Sequence, residues 1–246
     1  MNKILAKVLF LLLLAGLSSC ASYGTIKSQI NDPEFQKENL PIRQLKVVAV
    51  VFDGRTEAEL RELIQQTSDN LITQTGLGLN IVSMNNAGIL ESRNHNKALN
   101  EMLRKTRHIS SKDYDIMIGL APVPATDVFI AALSVFVPLP LWMGVIDNAY
   151  RRYILLKRSD VYILSHEILH AFIFSKDHGG GVMAEAQIGI LPFMPAINRT
   201  LYLSPEDRKE VLRNKFRNFG EDIEQKIALE SNEKQINPVF YGSINE

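Results

Sequence analysis

The feature that most constrains the fold is an alternation of short β-branched runs with longer amphipathic segments. The run "LKVVAVVFD" (Leu45–Asp53) has the length and composition of a buried strand. The segment that follows, "RTEAELRELIQQTSDNLITQTG", places its leucines and isoleucines mostly at helical spacing and ends at Gly76, a typical helix stop. A strand followed directly by a helix indicates a sheet that is covered by helices.

The same alternation continues along the chain. Three further strands are predicted, at Leu79–Met84, Tyr114–Leu120 and Ala149–Lys157. A short amphipathic helix or turn is predicted at Asn96–Arg107. Helices are predicted after a cap at Ser159 or Asp160 and at Ser204–Gly220. This order predicts a mixed α/β (α+β) layer structure. The helix after residue 160 is expected to pack on the sheet through its apolar residues Ile163, Leu164, Leu169 and Phe172.

Three of the five histidines lie in the stretch "SHEILHAFIFSKDHGGGVM", which runs from Ser165 to Met183. His166 and His170 are four residues apart, so on a helix they share one face and can bind one metal ion. Glu167 is displaced by one position, where it can take a proton from a metal-bound water. The spacing is the H-E-x-x-H motif of zinc peptidases, and it predicts Zn²⁺ as the cofactor and Glu167 as the catalytic base.

This cluster resembles the metzincin metallopeptidases, whose longer motif is H-E-x-x-H-x-x-G-x-x-H followed by a methionine turn beneath the metal. His166, Glu167 and His170 match its first part, whereas Ile173 occupies the glycine position and Lys176 the position of the third histidine. The resemblance implies a mixed twisted sheet with an active-site helix and a C-terminal helix. It is specific over residues 166–183 only, although the order of elements is similar over residues 44–220.

Three residues compete for the role of third metal ligand. His178 lies two positions beyond the expected histidine and is favoured, because another imidazole suits zinc. Glu185 would make the site similar to that of the gluzincin peptidases, and Asp177 would resemble the small metzincins that end in aspartate. Three glycines follow His178, so Met183 would be the methionine of the turn. The remaining histidines, His95 and His108, lie in polar surroundings and are expected at the surface.

The first twenty residues have the pattern of a bacterial lipoprotein signal. Lys3 and Lys7 precede an apolar run that ends in Leu17-Ser18-Ser19-Cys20, which resembles a lipobox. Cys20 is the single cysteine, so it can make no intramolecular disulfide and is the predicted lipidation site. Ala21 follows it, which by resemblance to enteric lipoproteins favours the outer membrane.

The chain is expected to divide into four parts. Residues 1–19 form the signal peptide, 20–43 a lipid-anchored tether, 44–220 the catalytic domain and 221–246 a polar tail. Within the domain, Val128–Ile146 carries no charged residue over nineteen positions. Its prolines favour an apolar loop or edge segment near the cleft, and contact with lipid or a self-inhibiting cover over the cleft are the alternatives.

Two functions are compatible with these features. The first is a zinc-dependent endopeptidase at the bacterial envelope, with a peptide or protein substrate extended along an edge strand near Ala149–Leu156. The second is a non-catalytic metal-binding lipoprotein that acts as an adaptor, although such a protein has no need for Glu167. With 27 basic and 27 acidic residues, the chain has no basic surplus that would indicate a nucleic-acid partner.

Overall fold

A computed structural model of the chain describes residues 40–123, 143–175, 180–183 and 200–220. Several predictions lie outside the described residues and stay predictions. They concern the signal peptide with Cys20, almost all of the tether, most of the apolar segment, Asp177, His178, Glu185 and the polar tail.

The described residues form five strands and four helices. The strands are β1 (Arg43–Val51), β2 (Leu77–Asn86), β3 (Ile116–Leu120), β4 (Gly144–Ile146) and β5 (Tyr153–Leu156). The helices are α1 (Glu57–Thr75), α2 (His95–Lys105), α3 (Val161–Leu169) and α4 (Pro205–Asn214). Within this part of the chain, no helix is both long enough and apolar enough to cross a membrane.

The strands form one mixed sheet in the order β2-β1-β3-β5-β4. β2, β1, β3 and β5 run parallel to one another, and β4 runs antiparallel to β5. The predicted α/β fold, with a mixed sheet, a histidine-containing helix and a C-terminal helix, is confirmed.

Both faces of the sheet are buried. Successive side chains of a strand point to opposite faces, so each central strand contributes to two separate core clusters. In β1, Leu45, Val47 and Ala49 join a cluster that also contains apolar residues of α1, α3 and α4. Val48 and Val50 join a second cluster on the other face, with residues of α2. The predicted contacts of α3 are confirmed, because the first cluster includes all four expected residues: Ile163, Leu164, Leu169 and Phe172.

The helix boundaries follow local capping chemistry, with one exception. Gly76, at φ 70°, ends α1 as predicted, and Asp160 caps α3 by accepting a hydrogen bond from the Tyr162 amide at 2.9 Å. Ser204 caps α4 as predicted. The predicted end of α4 at Gly220 was wrong, because the helix stops at Asn214. The reason is tertiary: the following Lys215 is buried and donates a hydrogen bond to the Pro41 carbonyl.

The predicted strand at Ala149–Lys157 was too long, and it is not an edge strand. Residues 147–152 form a turn, because the carboxylate of Asp147 accepts hydrogen bonds from four successive backbone amides, those of Tyr150, Arg151, Arg152 and Tyr153. The strand therefore starts at Tyr153, and β4 covers its outer side. The edge strands of the described sheet are β2 and β4, so the predicted substrate edge near Ala149–Leu156 was wrong.

Candidate metal centre

Helix α3 brings the two motif histidines together on one face, as their spacing requires. His166 lies in the last turn of the helix and His170 is its C-terminal cap residue. Their rings are nearly perpendicular, with centroids 4.7 Å apart, and the two Nε2 atoms are 3.1 Å apart. Both imidazoles therefore direct the same nitrogen towards one point.

The other nitrogen of His166 fixes the orientation of its ring. Nδ1 lies 2.9 Å from the carbonyl oxygen of Val182, and it must carry the proton because a carbonyl can only accept. In the neutral imidazole, Nε2 of His166 is then the nitrogen without a proton and presents a lone pair. A metal-binding histidine is typically held in this way, with its second nitrogen donating to a backbone carbonyl or a carboxylate.

The histidine pair fits a zinc ion. Zinc–imidazole bonds of about 2.0–2.1 Å in a tetrahedral arrangement place two ligand nitrogens about 3.3 Å apart. The observed Nε2–Nε2 separation of 3.1 Å is close to that value. Without an ion between them, the same separation allows Nε2–H of His170 to donate a hydrogen bond to Nε2 of His166.

Glu167 is buried beside this pair and lies against the edge strand. Its residue is 8% exposed, and burial raises the pKa of its carboxyl to about 8 because the charged form is poorly solvated. A cation bound at the neighbouring imidazoles opposes that effect and favours the carboxylate. The site therefore combines a histidine pair whose geometry fits a metal ion with a carboxyl group whose protonation responds to its surroundings.

Gly144 of β4 allows the close approach of Glu167. A Cβ atom at this position would lie 2.9 Å from Oε1 of Glu167 and 2.6 Å from Cγ2 of Ile163, closer than real side chains allow. Sequence reasoning missed this contact, although a glycine within a strand often marks a close backbone approach. The signal was hidden by the uniform apolar character of Val128–Ile146.

The turn that contains Val182 and Met183 is tied to the N-terminus of α4. The Val182 amide donates to the Tyr202 carbonyl at 2.8 Å, and Gly181 pairs with Leu203 in an isolated bridge. Met183 is 1% exposed and packs in the same core cluster as α3. Its role as the methionine of a turn beneath the metal stays a prediction. The neighbouring carbonyl of Val182 orients the imidazole of His166.

Within the described residues, no third metal-binding side chain joins the histidine pair. No group of three or more histidine, cysteine, aspartate or glutamate side chains gathers around one point in residues 40–123, 143–175, 180–183 and 200–220. His178 and the alternatives Glu185 and Asp177 lie outside these ranges. Neither His95 nor His108 takes the place, because α2 packs on the opposite face of the sheet from α3 and His108 is exposed beyond its end.

Comparisons with known proteins gave structural similarities only. No protein-family model matches the chain, and no curated protein sequence matches it. An archaemetzincin from Methanopyrus kandleri is similar in structure, with 17% identity, coverage of 71% of this chain and 97% of that chain, and a TM-score of 0.48. A chain from a chaperone–substrate complex is 12% identical, with coverage of 70% and 34% and a TM-score of 0.43. Neither similarity is high enough to assign a family, so the function has to be inferred from the site itself.

Proposed function

We propose that this chain is a zinc-dependent endopeptidase. The observation that carries the proposal is the convergence of Nε2 of His166 and Nε2 of His170 to 3.1 Å, with the His166 tautomer held by the Val182 carbonyl. Glu167, on the same helix, is buried next to the pair. Two imidazoles and an adjacent carboxylate are the residue types that hydrolysis with a metal-activated water requires.

Each residue has a distinct task in this mechanism. His166 and His170 bind the metal, with the as yet unassigned third ligand expected at His178. Zinc, when bound, supplies a Lewis acid that polarises a peptide carbonyl and lowers the pKa of a water molecule. A carboxylate oxygen of Glu167 takes the proton from the attacking water and transfers it to the leaving amine. Burial makes the ionised Glu167 a stronger base than an exposed glutamate.

The edge strand β4 is the proposed binding surface for an extended peptide. Strands at a sheet edge have backbone groups that can pair with an added strand, which is a common mode of peptide recognition. Gly144 places β4 directly against Glu167, so a peptide paired with β4 would pass close to the base. This favours unfolded or extended polypeptides as substrates.

The decisive experiment is Glu167→Gln in the full chain, tested for zinc content and for hydrolysis of unfolded polypeptides. Glutamine has nearly the same shape but cannot accept the proton, so hydrolysis should fall by about 10²–10⁴-fold while zinc remains bound. Glu62→Gln, the same change at an exposed position of α1, should leave activity unchanged. Full activity of Glu167→Gln would refute the mechanism. A zinc-bound wild type that hydrolyses no polypeptide would favour the adaptor function.

We also propose that the protein is anchored to the bacterial envelope, with the outer membrane as its location, through a lipid on Cys20. The support is sequence-based: Leu17-Ser18-Ser19 precede the single cysteine, and Ala21 follows it. In a bacterial host, the wild type should be found in the membrane fraction with a lipid-modified mass. Cys20→Ser should abolish the modification, and an unmodified wild-type protein would exclude the anchor.

A further inference from the structure

The chain leaves the histidine helix without the glycine that the metzincin pattern has at this point. The helix ends at Leu169, and Ile173 occupies the glycine position and is fully buried. Among the described residues, only Arg151 and four glycines have positive φ, so Ile173 makes no left-handed turn. We call residues 170–175 the exit segment. Its direction must be set by something other than a flexible glycine.

Side chains from two separate elements bind the carbonyl groups of the exit segment. Nη1 of Arg151 donates to the carbonyls of His170, at 3.3 Å, and Ile173, at 2.5 Å. From the other side, Arg217 binds the Ala171 carbonyl and Asn214 binds the Phe172 carbonyl, each at 2.8 Å. Four successive carbonyls that a continuing helix would have satisfied are thus satisfied by side chains.

The amide groups at the end of the exit segment are held as well. The carboxylate of Glu210 accepts hydrogen bonds from the Phe174 amide at 2.7 Å and from the Ser175 amide at 3.0 Å. It also accepts one from the Ser175 hydroxyl. The exit segment is therefore held between the turn before β5, which supplies Arg151, and the region of α4.

Arg151 differs from the other residues that hold the segment because its own backbone is strained. Its φ is 50°, in the left-handed region that residues with a side chain rarely adopt. The carboxylate of Asp147 helps to hold Arg151 in this conformation by accepting a hydrogen bond from its backbone amide at 3.2 Å. Its guanidinium also lies over the ring of Phe174, 5.3 Å from the centroid. Strained residues that surrounding contacts hold in place are often found at functional sites.

We propose that Arg151 is a positioning residue of the metal centre, acting through His170. This inference rests on the proposed function. Arg151 binds the carbonyl of His170 itself and also that of Ile173, so it holds the chain directly after the second motif histidine. It thereby replaces the glycine of the metzincin motif: a side chain from another element determines the turn that a glycine would otherwise permit locally.

The test compares metal binding in three variants of the full chain. Arg151→Gly removes the guanidinium and tolerates a φ of 50°, so it separates the side chain from the backbone strain. Arg151→Lys keeps the charge but lacks the fixed planar geometry with which the guanidinium presents its N–H groups. Arg208→Ala is the matched control, because Nε of Arg208 donates at 2.8 Å to the Gln74 carbonyl near the end of α1, a helix without metal ligands.

Two measurements are made: zinc affinity by competition with a chelator, and the visible absorption spectrum of the cobalt-substituted protein, which reports the ligand geometry. Arg151→Gly should weaken zinc binding about 10–100-fold, as loss of groups that orient ligands typically does, and should alter the cobalt spectrum. Arg151→Lys should recover part of both. Arg208→Ala should retain the affinity and spectrum of the wild type.

The outcomes separate this inference from the proposed function. Wild-type affinity and spectrum in Arg151→Gly would overturn the role of Arg151, and so would equal losses in Arg208→Ala, which would indicate a general effect of stability. If the wild type binds metal but hydrolyses no polypeptide, the peptidase function fails while the role of Arg151 is still decided by the spectra. A wild type that binds neither zinc nor cobalt overturns both.

Discussion

The carboxylate of Glu167 lies directly against Gly144, so that a single added Cβ atom on the edge strand would come within 2.9 Å of its Oε1 atom. The base of the proposed reaction and the proposed peptide-binding strand are thus in contact. This contact connects two features that are 23 positions apart in the sequence. It also makes the position of Glu167 sensitive to a change outside the motif.

Gly144→Ala should reduce hydrolysis while zinc stays bound. The new methyl group would overlap Ile163 and Glu167, and such overpacking typically costs about 1–3 kcal/mol of stability. The histidines are not displaced directly, so zinc content should stay near the wild-type value. Activity assays and metal analysis check both. Gly78→Ala, in β2 at the opposite edge, is the control, because its neighbour is the flexible end of Gln44. Equal activity in the two variants would contradict the expected effect of the contact between Gly144 and Glu167 on hydrolysis.

Zinc should stabilise the wild type and have no effect on the melting temperature of His166→Ala or His170→Ala. At a hundredfold excess over Kd, one bound ion adds about 2.7 kcal/mol, and for a domain of this size 1 kcal/mol raises Tm by roughly 2–4 °C. Thermal unfolding with zinc and with a chelator measures the difference. His108→Ala, at an exposed position, should keep the full zinc response. A zinc response that survives in both motif variants would place the metal elsewhere.

Asp147→Ala should destabilise the turn between β4 and β5. The carboxylate accepts hydrogen bonds from four backbone amides. Loss of a hydrogen bond to a charged group typically costs about 1.5–3 kcal/mol of folding stability. Asp147→Asn keeps one acceptor oxygen and should lose less. Urea unfolding measures the free energy, with the exposed Asp113→Ala as the control. No difference between Asp147→Ala and the control would mean that the turn forms without the carboxylate.

Glu210→Gln should reduce stability at neutral pH but much less in acid. Partial burial opposes ionisation of Glu210, yet the hydrogen bonds from Ser175 and Phe174, with the charge of Arg213, lower its pKa below the ordinary value. The folded state then binds fewer protons than the unfolded state. The contribution of Glu210 is therefore present above its unfolded pKa and lost as the pH falls through the lowered one.

The measurement for Glu210 is the free energy of unfolding of wild type and variant as a function of pH. The gap between the two curves should be constant around neutrality and should close below about pH 4.5, the range in which an ordinary glutamate titrates. Glu62→Gln, at an exposed position, should give a curve parallel to that of the wild type. A gap that is independent of pH would show that the charge of Glu210 does not hold the exit segment.

The sequence by itself determined the elements whose signals are local. The continuous apolar run of β1, the helical spacing in α1 and the stop at Gly76 depend on neighbours within a few residues, and all three agree with the structure. The positions of His166 and His170 on one face of α3 follow in the same way from a spacing of four. The periodicity of apolar residues and helix capping are properties of a short segment, so they can be predicted without knowledge of the tertiary structure.

Only the tertiary structure decided how the two motif histidines and Glu167 are held in place. The edge strand β4 has three residues within a uniformly apolar run, so no period marks it. Val182 orients His166 from 16 positions away, and Arg151 reaches the His170 carbonyl from 19 positions away. Backbone carbonyls are identical in every residue, so a sequence pattern cannot show which of them will accept a distant side chain. Their partners are chosen when helices and strands pack and each buried polar group must find a donor or acceptor.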